Sequence, residues 1–140
     1  MKTITSMSHP ILVTAAIIKK DGKFLLTQRP KDKHNSLRWE FPGGKVDFGE
    51  DLRKCLEREI NEELGIEIKA NEILEYSSHV YHGKKHIVLV GFHCDFISGE
   101  IEKKEIEDYK FLSFDEMQDY DITEADLPFI EKLKELEKSK

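Results

Sequence analysis

The stretch that decides the fold runs from Gly44 to Ile66 and reads GKVDFGEDLRKCLEREINEELGI. Glu50 and Asp51 are predicted to open a helix, because carboxylates complement the exposed N–H groups of a helix N-terminus. Gly65 suits the left-handed position that follows the last helical residue. A glycine loop that leads into one amphipathic helix is therefore predicted, with an apolar face at helical spacing formed by Leu52, Cys55, Leu56 and Ile60.

Acidic residues replace the apolar ones toward the end of this helix. Glu59 and Glu63 continue the face and Glu62 lies beside them, so that three carboxylates are expected on one side of the last two turns. Like charges at this spacing repel, and they also oppose the helix dipole. A cation among them would relieve the repulsion, and oxygen ligands suit Mg²⁺. The alternative is a solvated acidic face, which is common in a chain with 36% charged residues.

The complete spacing resembles the Nudix box. Gly44 is followed after five residues by Glu50, after seven more by Arg58-Glu59-Ile60, and then by Glu62-Glu63 and Gly65-Ile66. Nine or so positions in fixed register make this a specific motif. The resemblance implies an α/β fold, a Nudix-type α/β/α sandwich with a mixed β-sheet. It also implies Mg²⁺-dependent hydrolysis of a diphosphate linkage, with Mn²⁺ as a substitute ion.

The resemblance also implies roles for individual residues of the box. Glu62 and Glu63 would ligate the metal most directly, whereas Glu59 would either ligate it or act as the general base. Arg58 would orient Glu59 through a charge-assisted hydrogen bond, or would only pair with Glu62 at i+4. The carbonyl of Gly43 would be a further ligand, or Gly43 and its neighbour would simply form a turn.

Another acidic ligand is expected from a later loop. Glu105, six residues before Phe111, is the candidate, and Glu107 is the alternative. Both lie in the segment EIEKKEIED, whose charges are equally compatible with a solvated loop.

Three short segments outside the box resemble MutT-like nucleotide hydrolases: LTQR at 26–29, WEFPGG at 39–44 and ADLP at 125–128. The resemblance implies a pyrophosphohydrolase that converts a nucleoside triphosphate, including an oxidised one such as 8-oxo-dGTP, to the monophosphate and pyrophosphate. Other Nudix substrates are the alternative: ADP-ribose, a sugar nucleotide or a dinucleoside polyphosphate. An alternative of another class is a nucleotide-binding module without catalysis.

Six substrate-binding residues follow from the same resemblance: Arg29, His34, Glu40, Phe41, Lys85 and Asp126. Arg29 and His34 would lie near phosphate or sugar, and Phe41 would stack on the base or form a wall beside it. Lys85 stands where bacterial enzymes often have arginine. Arg29 is alternatively a surface charge at a strand end, and Phe41 a core residue.

Asp126 occupies the position at which these enzymes place an Asn or Asp that reads the base edge. The alternative is a helix N-cap, with Pro128 in the first turn. An ionised carboxylate only accepts hydrogen bonds. Guanine presents two adjacent donors, whereas cytosine presents a donor beside an acceptor and would require a protonated acid. Ionised Asp126 therefore favours guanine or oxidised guanine, with cytidine nucleotides second.

Length and composition predict one domain over residues 1–140, with residues 1–10 as a flexible or extended lead-in. The sequence has no apolar run of ~20 residues and no secretory core at its start, which predicts a cytoplasmic protein that does not use a membrane. Cys55 and Cys94 are expected to be reduced. The net charge of −6 argues against a nucleic-acid polymer as partner and leaves a small nucleotide as the expected one.

Periodicity and turn residues predict the remaining elements. The apolar run 11–18 is predicted to be a buried strand, followed by a hairpin turn at Asp21-Gly22 and a second strand at 24–29. Further extended segments are predicted at 39–41, 67–81, 85–96 and 109–112, a short helix from Ser113, and a last helix from Asp126 to about Leu136.

Overall fold

The computed structural model describes residues 9–140, so that the predicted lead-in lies almost entirely outside the described residues. The strands are β1 (Ile11–Lys20), β2 (Lys23–Gln28), β3 (Trp39–Glu40), β4 (Gly43–Lys45), β5 (Glu67–Tyr81), β6 (Lys85–Ser98) and β7 (Asp108–Leu112). The helices are α1 (Leu52–Leu64), α2 (Phe114–Met117) and α3 (Leu127–Lys138), with a 3₁₀ turn at Glu124–Asp126. Within the described residues, no helix is long and apolar enough to cross a membrane.

The strands form a mixed sheet around β1. The path runs β3-β2-β1-β6-β5, while β4 pairs with β1 and β7 pairs with β2. Strands β1 and β6 are parallel, and the other strand pairs are antiparallel. A strand in the middle of a sheet that is covered on both faces reads as a continuous apolar run. This position explains the sequence ILVTAAII at the start of β1.

Two hydrophobic clusters cover the two faces of the sheet. Helix α1 contributes Leu56, Ile60 and Leu64 to the cluster on one face. Helix α3 contributes Phe129, Ile130 and Leu133 to the cluster on the other face. Residues of β1 alternate between them, with Ala16 on the α1 side and Ile17 on the α3 side. The predicted α/β/α sandwich with a mixed sheet is confirmed.

Helix α1 has the predicted end but a slightly different start. Gly65 follows its last residue with φ +71°, as the left-handed C-cap requires. Asp51 is the N-cap, and its carboxylate accepts a hydrogen bond from the backbone N–H of Lys54. Glu50 was predicted to open the helix, but it lies in the preceding turn, where its carboxylate accepts from the backbone N–H of Asp47.

The predicted glycine loop is partly wrong, because Gly43–Lys45 forms strand β4. Two residues with φ near +52° and +78°, Asp21 and Gly22, form the predicted hairpin turn. Cys55 and Cys94 are both free, as predicted. Cys55 is fully buried, and burial raises the pKa of its thiol to about 11.

Candidate active site

Two adjacent glycines let the backbone of β4 lie directly against its neighbours. A Cβ atom on Gly43 would lie 1.9 Å from the carbonyl oxygen of Thr14 in β1. A Cβ atom on Gly44 would lie 2.2 Å from a carboxylate oxygen of Glu59 in α1. Gly43 therefore permits the pairing of β4 with β1, and Gly44 permits the acidic side chain of Glu59 to contact the strand.

A cleft of about 680 Å³ opens beside these glycines, and we call it the carboxylate cleft. Glu59, Glu63 and Glu105 line it together with Gly43. Glu105 reaches this position because its backbone N–H and that of Lys104 donate to the carbonyl of Glu63, at 3.3 and 3.1 Å. The loop after β6 thus supplies partners for the C-terminal carbonyls of α1.

Of the two later acidic candidates, only Glu105 lines the carboxylate cleft. The backbone N–H of Glu107 instead donates to the carbonyl of Gln28, at 2.9 Å. The choice of Glu105 over Glu107 as a metal ligand stays a prediction, but the position of Glu105 is compatible with it.

The carboxylate cleft concentrates negative charge in a poorly solvated place. Burial raises the pKa of Glu63 well above its ordinary value, and the charges of Glu40, Glu59 and Glu105 raise it further. Burial also raises the pKa of Glu59, although the hydrogen bond from Arg58 opposes this effect. A bound cation would remove the repulsion among these groups, and their oxygen atoms are the donors that Mg²⁺ prefers. The residues therefore fit a divalent metal ion.

Arg58 binds three acidic side chains, one in the turn before α1 and two on α1 itself. Its guanidinium donates to Glu50 at 2.7 Å, to Glu59 at 2.9 Å and to Glu62 at 3.1 Å. Both interpretations of Arg58 therefore apply, since it contacts Glu59 and also pairs with Glu62 at i+4. Hydrogen bonds from Arg58 lower the pKa of Glu50 to about 2.

The structure does not bring all three box glutamates together. Glu62 is absent from the lining of the carboxylate cleft, and its side chain is 47% exposed. A helix turns about 100° per residue, so Glu62 points about 60° away from Glu59, where Arg58 binds it. Within residues 9–140, no three His, Cys, Asp or Glu side chains converge as a formed metal site. The role of Glu62 as a ligand stays a prediction.

A smaller cavity of about 130 Å³, here the inner cavity, adjoins the carboxylate cleft. Its lining includes all six predicted substrate-binding residues, Arg29, His34, Glu40, Phe41, Lys85 and Asp126. Four of them, Arg29, His34, Glu40 and Lys85, also line the carboxylate cleft. Residues that are 97 positions apart in the chain thus form one continuous site.

Asp126 lies at the N-cap position of α3, with Pro128 in the first turn, but its side chain does not cap the helix. Its side chain makes no cap hydrogen bond and instead accepts from the backbone N–H of Phe41, at 2.9 Å, and from the hydroxyl of Thr123. Only 3% of Asp126 is exposed. Burial, with the nearby charge of Glu40, raises its pKa to about 7. Burial therefore favours the protonated form of Asp126.

Phe41 and Arg29 are both better defined by the structure than by the sequence. Phe41 belongs to the α3-side core, as its alternative interpretation expected, and it also lines the inner cavity, while its contact with a base stays a prediction. Arg29 is not an isolated surface charge, because its guanidinium donates to both oxygens of Glu40, at 3.0 and 3.1 Å. Burial raises the pKa of Glu40, and Arg29 opposes the effect.

Two basic groups at the junction of the cavities have lowered pKa values. Burial lowers the pKa of Lys85, and the positive charges of Lys45 and Arg29 lower it further. Burial and the charge of Lys85 lower the pKa of His34. The Nε2 atom of His34 is buried and has no hydrogen-bond partner within the described part of the chain. These effects favour the neutral form of the His34 imidazole.

Sequence reasoning missed several polar residues that line the inner cavity, among them Lys45, Tyr81 and Thr123. Lys45 directly follows the two glycines, and its position was a usable signal. Tyr81 accepts a hydrogen bond from the backbone N–H of Ala125 at 2.9 Å, a contact between distant segments that no local pattern reveals.

Comparison with known proteins agrees with this geometry. The sequence profile of the NUDIX domain matches residues 8–133. The CTP pyrophosphohydrolase of Escherichia coli strain K12 is 38% identical over 121 residues, covering 86% of this chain and 89% of the relative. The 8-oxo-dGTP diphosphatase of Buchnera aphidicola subsp. Schizaphis graminum is 32% identical over 130 residues, covering 93% and 97%.

A solved structure shows the same relationship in three dimensions. The solution structure of the Escherichia coli ORF135 protein superimposes with a TM-score of 0.82 at 36% identity, covering 99% of this chain and 98% of that one. The profile match spans most of the described residues, including the glycines, α1 and the inner cavity. The chain therefore belongs to the Nudix hydrolase family.

Proposed function

We propose that this chain is a Mg²⁺-dependent nucleoside triphosphate pyrophosphohydrolase, which releases a nucleoside monophosphate and pyrophosphate. One observation carries the proposal: partly buried carboxylates and basic side chains line the same cleft, and that cleft adjoins a smaller cavity. Glu59 and Glu63 are on the acidic side, and Arg29 and Lys85 are on the basic side. The phosphate chain of a nucleotide would lie in the carboxylate cleft, and its base would lie in the inner cavity.

Nudix hydrolases generally use divalent cations, and the acidic side of the cleft suits one. Glu63, Glu59 and the carbonyl of Gly43 would hold the ion, joined by Glu105 and by Glu62 once it leaves Arg58. When bound, the ion would neutralise phosphate oxygens and polarise the phosphorus. Mn²⁺ would bind the same oxygen donors.

The chain's own residues would bind the substrate and move a proton. Arg29 and Lys85 would contact phosphate oxygens, and the uncharged His34 would contact phosphate or sugar without adding charge. A carboxylate of the cleft would accept the proton of the attacking water.

The substitution Glu63→Gln tests this proposal. Hydrolysis of CTP and dGTP with Mg²⁺ is expected to fall by about 100-fold or more, because the substitution removes a carboxylate at the reacting centre. Glu131→Gln, an exposed change on α3, is the control and is expected to keep the wild-type rate. Wild-type turnover by Glu63→Gln would contradict the assignment of the site.

The protonation of Asp126 changes the order of the candidate bases. Ionised Asp126 would favour guanine, but a pKa of about 7 makes the protonated acid available at neutral pH. Protonated Asp126 can donate to N3 of cytosine and accept from its N4 amino group. The 38% identity to a CTP pyrophosphohydrolase supports the same choice. Cytidine triphosphates are therefore the first candidates, with guanine and oxidised guanine nucleotides second.

The pH dependence of base preference tests this choice. The ratio of kcat/KM for CTP to kcat/KM for GTP is expected to fall as the pH rises through about 7, because Asp126 loses the donor that N3 requires. Titrations that both substrates share cancel in this ratio. In Asp126→Asn the ratio is expected not to change with pH. A flat ratio in the wild type, or a preference for GTP at every pH, would contradict the choice of cytidine.

A panel of nucleoside diphosphate derivatives, assayed beside the nucleoside triphosphates, separates the remaining alternatives. A higher kcat/KM for ADP-ribose, a sugar nucleotide or a dinucleoside polyphosphate would assign another Nudix substrate. Tight nucleotide binding without turnover at any divalent metal would indicate a non-catalytic binding module.

A further inference from the structure

Arg38 makes an unusually complete set of contacts just outside the inner cavity. Its guanidinium donates to both carboxylate oxygens of Glu124, at 2.6 and 2.9 Å, in the two-pronged geometry that suits arginine. It also donates to the carboxylate of Asp121 at 3.1 Å and to the carbonyl of Ile122 at 2.9 Å. Its side chain is only 20% exposed.

Arg38 also contacts the loop that precedes it. Its guanidinium lies 3.4 Å from the side-chain oxygen of Asn35. Asn35 and Leu37 both have positive φ, +57° and +62°, which is unfavourable for residues with a side chain. The contact from Arg38 therefore helps the loop from 30 to 37 to keep this strained shape, together with hydrogen bonds of the loop backbone such as that from Leu37 to Arg29.

The two segments that Arg38 joins each form a wall of the inner cavity. The loop contributes His34 and Asn35, whereas the segment that contains Glu124 contributes Thr123 and Asp126. Arg38 itself is not among the lining residues of either cavity. Its influence on a ligand in the inner cavity must act through these walls.

We infer that Arg38 is a positioning residue that fixes the spacing of the two walls and thereby sets base discrimination. The inference rests on the proposed function, since it takes the inner cavity as the base site. Without the guanidinium, the walls would separate more easily, and Asp126 and His34 would no longer be held at one distance. Binding of the base would weaken, while the carboxylate cleft would keep its geometry.

The substitution Arg38→Gln removes both the positive charge and the bidentate contact with Glu124. The substitution Arg38→Lys keeps the charge but loses the bidentate contact. With CTP, KM is expected to rise about tenfold in Arg38→Gln while kcat stays within about twofold. The CTP-to-GTP ratio of kcat/KM is expected to move toward one, and Arg38→Lys should lie between Arg38→Gln and the wild type. Arg53→Gln is the matched control, because Arg53 makes its contact to the carbonyl of Asn71, away from both cavities.

Amide hydrogen exchange provides a readout that does not depend on turnover. The backbone N–H groups of Phe41 and Ala125 donate to Asp126 and Tyr81, at 2.9 Å each, and both residues line the inner cavity. Their exchange is expected to accelerate about tenfold in Arg38→Gln and to stay unchanged in Arg53→Gln.

The inference would be overturned if kcat in Arg38→Gln fell by as large a factor as KM rose. It would also be overturned if this variant kept both the wild-type CTP-to-GTP ratio and the wild-type exchange rates at Phe41 and Ala125. Should the wild type hydrolyse no nucleoside triphosphate, the proposed function would fail, and the exchange rates would still decide the role of Arg38.

Discussion

Alanine at each of the two adjacent glycines, Gly43 and Gly44, is expected to produce two different defects. Neither glycine has a positive φ, so that the added methyl group acts only through the space it needs. At position 43 the Cβ atom would lie 1.9 Å from the carbonyl oxygen of Thr14 and 2.9 Å from the Cα atom of Ala15. Both neighbours are backbone atoms of the central strand β1.

Gly43→Ala should therefore damage the fold. Overpacking in a core typically costs about 1–3 kcal/mol, and here neither strand can yield without breaking sheet hydrogen bonds. We expect a loss of about 3 kcal/mol in the free energy of unfolding, which corresponds to a fall in Tm of about 10 °C.

Gly44→Ala should instead damage the site. Its Cβ atom would lie 2.2 Å and 2.3 Å from the carboxylate oxygen and Cδ of Glu59, which can rotate away. The rotation would break the 2.9 Å contact between Arg58 and Glu59. The stability should change by less than about 1 kcal/mol, whereas displacement of a group at the reacting centre is expected to lower kcat by about 100-fold.

Thermal unfolding by circular dichroism and pyrophosphate release from CTP with Mg²⁺ measure the two effects on the same samples. Each variant serves as the control for the other. The reasoning would be refuted if Gly44→Ala kept the wild-type rate, or if both variants lost the same stability.

Three further outcomes follow from the site and the helix caps. Mg²⁺ should raise the Tm of the wild type more than that of Glu63→Gln in thermal-shift measurements, because the ion binds only the folded chain; equal shifts would argue against a metal at Glu63. The pKa of Asp126 is about 7 in the folded chain and ~3.9 when unfolded. The stability of the wild type relative to Asp126→Asn should therefore fall between about pH 4 and pH 7 and then stay constant. A constant difference between the urea midpoints of the two proteins across this range would contradict the shift. Gly65→Ala should cost about 1 kcal/mol, since Gly65 has φ +71° and its Cβ atom would meet only flexible side-chain atoms; a neutral result in chemical denaturation would exclude strain at this cap.

Local patterns were sufficient wherever the structure depends on near neighbours. Helix α1 ends at Gly65 because a residue at φ +71° favours glycine, and the turn at Asp21–Gly22 is readable for the same reason. The buried strand β1 was visible as a continuous apolar run. The spacing from Gly44 to Glu63 identified the family, because helical geometry converts fixed intervals into a fixed arrangement.

Local patterns were insufficient wherever the partner is distant in the chain. Gly43–Lys45 looked like a loop, but pairing with β1 makes it a strand. Asp126 had the appearance of an N-cap, but the backbone N–H of Phe41, which lies 85 residues earlier, binds its carboxylate. No local pattern in the sequence indicates a role for Arg38, because its partners Asp121 and Glu124 follow more than 80 residues later.

Sequence patterns were enough to predict the family and the sandwich of helices around a mixed sheet, and they named many of the residues that line the two cavities. Tertiary contacts decided which of the box glutamates line the carboxylate cleft, that Glu105 lies beside them, and that burial raises the pKa of Asp126. The physical reason is that burial and the field of neighbouring charges depend on the packing of distant segments, whereas helix caps, turns and periodicity depend on residues that are adjacent in the chain.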